Sequence, residues 1–125
     1  MGNGSLTDDP PLFDEADGLM RAGGDRAFLA ELLTLFADSH EPCAARLREL
    51  AAAGDRAGGI DIAHSLKGVS GNVGLRRLSE AARRTEATLR GCDDPETAML
   101  ALADLTLETT AFARSKGAEM AGTRK

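Results

Sequence analysis

Apolar side chains recur every three or four residues along most of this chain, the period of helices that bury one face. In a first short helix, Phe13 to Ala22, Phe13, Ala16, Leu19 and Met20 share a side, and Gly23 and Gly24 end it. Asp25 suits the N-cap of a second helix, Arg26 to Ala53, whose predicted inward stripe is Phe28, Leu32, Leu35, Phe36, Cys43, Leu47 and Leu50. Pro42 removes a backbone hydrogen bond within that run and predicts a kink, or a division after His40. Gly54 and Asp55 repeat the stop-and-cap signal.

In the third helix Ile62, Leu66, Val69 and Val73 fall on one face and His64, Lys67, Gly68 and Gly71 on the opposite one. Gly58 and Gly59 near its start disfavour helix by about 2 kcal/mol together, which predicts an irregular first turn. A fourth helix, Leu75 to Arg90, keeps Leu75, Leu78, Ala82, Thr85 and Leu89 inward and its arginines outward. Asp94 as cap and Pro95 at the first helical position open a fifth, ending at Ser115, with Met99, Leu102, Leu105, Phe112 and Ala113 inward. The polar segments 1–12 and 117–125 read as flexible tails around one domain, 13–116. Four amphipathic helices on short connections, preceded by a short one, predict an all-α fold: an antiparallel up-down four-helix bundle with an additional N-terminal helix.

Composition supports this picture. The 125 residues suffice for one core, and with 42% hydrophobic residues, no Trp and no Tyr, the mix favours helix over strand. A net charge of -5 argues against general nucleic-acid affinity, which needs a basic face. No apolar run approaches the roughly 18 residues of a membrane span and no basic-then-apolar leader opens the chain, so a cytoplasmic protein with no membrane partner is expected. Cys43 and Cys92 stand far apart without a metal-ligand pattern, so reduced thiols and no metal site are expected. One bundle can cover its own core, which favours a monomer.

The run AHSLKGVSGNVG, Ala63 to Gly74, carries the candidate chemistry. A neutral imidazole can attack phosphorus without a separate base, and Lys67, one turn from His64, can neutralise phosphoryl oxygens. Gly68 and Gly71 leave bare backbone, over which a partner protein can approach the ring. Gly74 reads instead as a helix end or a close packing point. No Lys-Ser/Thr follows the second glycine as a Walker loop requires. Arg76, Arg77, Arg83, Arg84 and Arg90 read first as a solvated face with i,i+4 pairs Glu80–Arg84 and Glu86–Arg90. Arg76 and Arg77, nearest the histidine run, are the candidates for steering an acidic partner. His40, at the edge of the second helix's stripe, reads as structural.

The longer run AHSLKGVSGNVGLRRLSEAARRTE resembles the histidine-containing phosphotransfer (HPt) domains of bacterial phosphorelays, on His64, Leu66, Lys67, Gly68, Ser70, Gly74, Leu78 and Glu86. With FDEADGLMRAGGDRAFLAELLTLF, similar to the family's first helices, the resemblance spans residues 13 to 113. It implies that His64 accepts a phosphoryl group from a receiver-domain aspartyl phosphate and passes it to another receiver. It also implies that the receiver supplies the acidic pocket and the Mg²⁺, so this chain binds no cofactor and is a transfer intermediate rather than an enzyme. Thr85 departs from the family pattern, which has a large aliphatic residue there. Two other readings stay open: the phosphoacceptor domain of a chemotaxis-type kinase, with a similar H-S-x-K-G run, and a receiver-binding module whose His64 is inert.

Overall fold

The computed structural model describes residues 9–91 and 94–122, and within them every regular element is helical. In chain order these are α1 (Glu15–Arg21), α2 (Arg26–His40), α3 (Pro42–Ala53), α4 (Arg56–Gly71), α5 (Arg76–Arg90) and α6 (Pro95–Gly122). The helices α2 and α3 form one bent rod. Glu41 keeps helical backbone angles and donates its N–H to the Ala37 carbonyl, while Pro42 opens α3, so the bend falls where the proline places it. Arg114 of α6 braces it, with ion pairs to Asp38 at 3.1 Å and Glu41 at 2.9 Å. This rod, α4, α5 and α6 make the antiparallel four-helix bundle, and α1 is the additional N-terminal helix.

The core is mostly leucine, with Leu29, Leu33, Leu47, Leu66, Leu75, Leu78, Leu89 and Leu102 all fully or almost fully buried. The predicted α5 stripe of Leu75, Leu78, Ala82, Thr85 and Leu89 is buried throughout. The predicted α2 stripe is not. Phe28 (45% exposed) and Leu35 (59%) face outward, while Leu29, Ala30, Leu33, Phe36 and Ala37 are the buried residues of α2. The small Ala30 and Ala37 let α6 approach on that side, which a stripe read from large residues alone overlooks. In α1, Met20 is 70% exposed, because the short helix docks through Gly18, whose absent Cβ would meet the Val73 carbonyl at 3.0 Å.

Three further expectations change. The last helix runs on from Ser115 to Gly122, so residues 117–122 are not a tail: Met120 is fully buried, and a Cβ on Gly117 would lie 2.6 Å from Thr34 Oγ1. A glycine among alanines there marks a close helix crossing. The first turn of α4 is regular, since Asp55 caps it by accepting from the Gly58 N–H at 2.9 Å. Gly59 leaves room for Met99 and Leu89, whose atoms would come within 2.9 Å of a Cβ. At the other end, residues 9–12 lie along α5: the Pro11 carbonyl accepts from the Arg77 N–H at 3.1 Å and Asp9 pairs with Arg84 at 2.8 Å. Residues 1–8 and 123–125 of the expected tails, and Cys92, lie outside the described residues.

Candidate functional site

The site is built on the hairpin of α4 and α5. Gly74 turns the chain at φ +82°, and a Cβ there would lie 2.6 Å from the Asp14 carbonyl oxygen, so glycine is required twice over. Ser79 Oγ donates to the Lys67 carbonyl at 2.8 Å and ties the two helices together. Residues equally far from the turn stand at equal heights in such a hairpin, and His64 and Glu86 lie eleven positions before and after Leu75.

They meet there. His64 keeps 66% of its side chain exposed, with Nδ1 3.2 Å from Glu86 Oε2 and 3.4 Å from Oε1. Lys67 Nζ donates to Oε1 at 3.3 Å, and Arg90 donates to Oε2 from Nη2 at 3.0 Å and from Nε at 3.3 Å. The hydrogen bonds from Arg90 hold the Glu86 carboxyl far below its ordinary range, at about 2. Those from Lys67 and His64 add to the effect, against partial desolvation. Glu86 is therefore an acceptor only, and Nδ1 must be the protonated nitrogen that donates to it. In the neutral ring that leaves the lone pair on Nε2. A carboxylate thus holds a largely exposed imidazole in one tautomer.

One turn past His64 the outer face of α4 is open. A Cβ on Gly68 would meet nothing within 4 Å, so this glycine relieves no packing conflict within the chain. Gly71 differs, because a Cβ there would approach Ser79 Oγ at 3.2 Å. It lines a cleft of about 600 Å³ with Pro10, Asp17, Arg21, Arg76 and Glu80. Of the two arginines read as steering residues, Arg76 is exposed beside that cleft and pairs with Asp14 at 3.2 Å. Arg77 is turned toward the N-terminal segment, its Nε donating to the Pro10 carbonyl at 3.0 Å. The structure therefore brings His64, Lys67 and Gly68 together and sets Arg77 apart from them. Both i,i+4 pairs form, Glu80–Arg84 at 3.3 Å and Glu86–Arg90 at 3.0 Å.

His40 stacks on Phe36 with ring centroids 5.1 Å apart and lies 3.2 Å from the Phe36 carbonyl oxygen, a structural setting. Burial pushes the Cys43 thiol up, so this cysteine is not activated. Among the described residues no group of three His, Cys, Asp or Glu side chains is placed to hold a metal ion, and no helix is long and apolar enough to cross a membrane.

Residues 31–114, from within α2 to late in α6, match the family model of the Hpt domain. The chain belongs to the Hpt domain family. No curated protein and no solved structure matches it. Hpt domains perform histidine phosphotransfer in phosphorelays and interact with receiver domains. The matched span contains the whole α4–α5 hairpin, while α1 and its cleft-lining Asp17 and Arg21 precede it. The residue that sequence reasoning left without a role in this Hpt domain is Glu86. It counted as a family match and as Arg90's partner, but the equal spacing about Leu75 was the available signal that it faces His64.

Proposed function

We propose that His64 is the phosphoacceptor, taking a phosphoryl group from the aspartyl phosphate of one receiver domain and passing it to a second. The observation that carries this reading is the imidazole itself, largely exposed, held at Nδ1 by Glu86, and flanked by the open backbone of Gly68. In the transfer the Nε2 lone pair attacks phosphorus, the Nε2–P bond forms, and the bond from phosphorus to the aspartyl oxygen breaks, returning the aspartate as a carboxylate. Nδ1 keeps its proton, and the positive charge that develops on the ring faces the ionised Glu86. Passing the group on reverses these steps with another aspartate. Such transfer depends mainly on positioning and charge neutralisation, and a fixed imidazole beside Lys67 meets that need while the receiver supplies its acidic pocket and Mg²⁺. Gly68 and Gly71 leave room for the receiver, and Arg76 lies at the edge of the same approach.

The test is phosphotransfer from a labelled receiver to the wild-type chain and to His64→Gln, with a parallel reaction in which an ATP-binding kinase domain is the donor. Label on the wild type from the receiver, and none on His64→Gln, supports the reading. Label on the Gln variant overturns it. Label from the kinase domain but not from the receiver overturns the routing and favours the chemotaxis-type alternative.

A further inference from the structure

The stripe of α2 that its apolar spacing predicts to be covered stands open, and it stands beside a groove. Phe28 and Leu35, two helical turns apart, are both exposed. Next to Leu35, between α2 and α6, runs an apolar groove of about 360 Å³ along Ala30, Thr34, Gly117, Ala118 and Ala121. Its walls are small because the two helices cross closely there: a Cβ on Gly117 would lie 2.9 Å from the Ala30 carbonyl oxygen. The same face carries opposite charge on its two helices. Glu31 and Asp38 of α2 rim the groove, and Glu31 has no cation paired with it among the described residues. On α6, Arg114 keeps 45% of its side chain exposed beside its pair with Asp38, and the sequence continues past Gly122 as Thr123, Arg124 and Lys125.

We propose that this α2–α6 face is where two copies of the chain associate, about a twofold axis parallel to the bundle. The helices run antiparallel, with Thr34 level with Gly117 and Asp38 level with Arg114. Such an axis sets α2 of each copy against α6 of the other at the same height. Each Leu35 then enters the groove of the opposite copy, and Glu31 and Asp38 meet its Arg114 and its Arg124–Lys125 end. Protruding side chain, groove and both signs of charge belong to one surface, which is what a self-complementary interface requires. The pairing also leaves the histidines free. In the bundle α6 packs against the α2–α3 rod and α5, while α4 packs against α5 and the rod. The α2–α6 edge therefore lies across the bundle from the α4–α5 edge that carries His64.

Sedimentation equilibrium of the full chain tests this, for the wild type, Leu35→Asp, Glu31→Lys, Arg124→Glu with Lys125→Glu, and an equimolar mixture of the last two. Leu35 and Glu31 are exposed, so circular dichroism should show their variants folded as the wild type is. The expected result is a dimer with a Kd on the order of 10 µM. Leu35→Asp should weaken it about tenfold or more, and each charge reversal about threefold. The mixture should recover wild-type association, because the two reversals then face each other. His64→Gln should dimerise as the wild type does, which keeps this outcome separate from the phosphoacceptor reading. A wild type still monomeric at roughly 1 mM overturns the proposal. So does a dimer that Leu35→Asp leaves intact, and a mixture no better associated than its components overturns the twofold arrangement. A monomeric wild type whose complex with a receiver is lost in Leu35→Asp overturns the second copy as occupant and gives the face to the receiver.

Discussion

His64 and Glu86 face each other across the α4–α5 hairpin, Nδ1 to Oε2 at 3.2 Å, with the imidazole exposed and the carboxylate largely covered. The imidazole and the group that sets its tautomer thus come from different helices. The packing of the hairpin, rather than either helix alone, fixes the geometry of the site.

The first prediction concerns pH. The Glu86 carboxyl titrates at about 2 in the folded chain against an ordinary 4.5. A depressed folded-state value means that the stabilisation is complete above pH 4.5 and is lost as the pH falls toward 2. Glu86→Gln cannot ionise, so its stability deficit against the wild type should be constant above that window and shrink within it. Urea midpoints of both proteins across the range check this, and a deficit that stays flat down to pH 2 contradicts it.

The glycines of the Ala63–Gly74 run should divide by sign. Gly68 lies on an exposed helix face with open space beyond it, so Gly68→Leu should raise stability by roughly 0.5–1 kcal/mol while blocking transfer from a receiver. Gly74→Ala should do the opposite to stability, a loss of about 1–3 kcal/mol, because φ is positive and the Asp14 carbonyl occupies the Cβ position. Denaturation midpoints measured beside transfer rates check both. Transfer by Gly68→Leu at the wild-type rate would remove the bare backbone from the site.

Met120 tests the end of the bundle. It is fully buried, so Met120→Ala should cost about 2–5 kcal/mol, against almost nothing for a residue in a free tail. A urea titration showing an unchanged midpoint would return the segment to the tail that its composition suggests.

Much of this was legible in the sequence, because it depends on local rules. The caps at Asp25 and Asp55, the bend at Pro42 and the α5 stripe each follow from a few neighbouring residues, and each is where those residues place it. The exposure of His64 followed from the face of α4 opposite Leu66. What stayed hidden depends on a second helix. Gly117 and Ala30 look weak by composition until α6 is seen to cross α2 there. Phe28 and Leu35 are as apolar as Leu29 and Leu33, and only the position of α6 decides which pair is covered. Glu86 looked like a surface residue with a helical neighbour, and its meeting with His64 and Lys67 requires the hairpin's register.

The central claim is that Glu86 holds Nδ1–H and leaves Nε2 of His64 to carry the phosphoryl group. Nitrogen-15 and phosphorus-31 NMR of the imidazole-labelled chain, before and after exchange with a phosphorylated receiver, tests it most directly. The account predicts that the ring in its neutral form carries its proton on Nδ1 beforehand, and that a single phosphorus is coupled to Nε2 of His64 afterwards. Phosphorus coupled to Nδ1, or found on any residue other than His64, would contradict it.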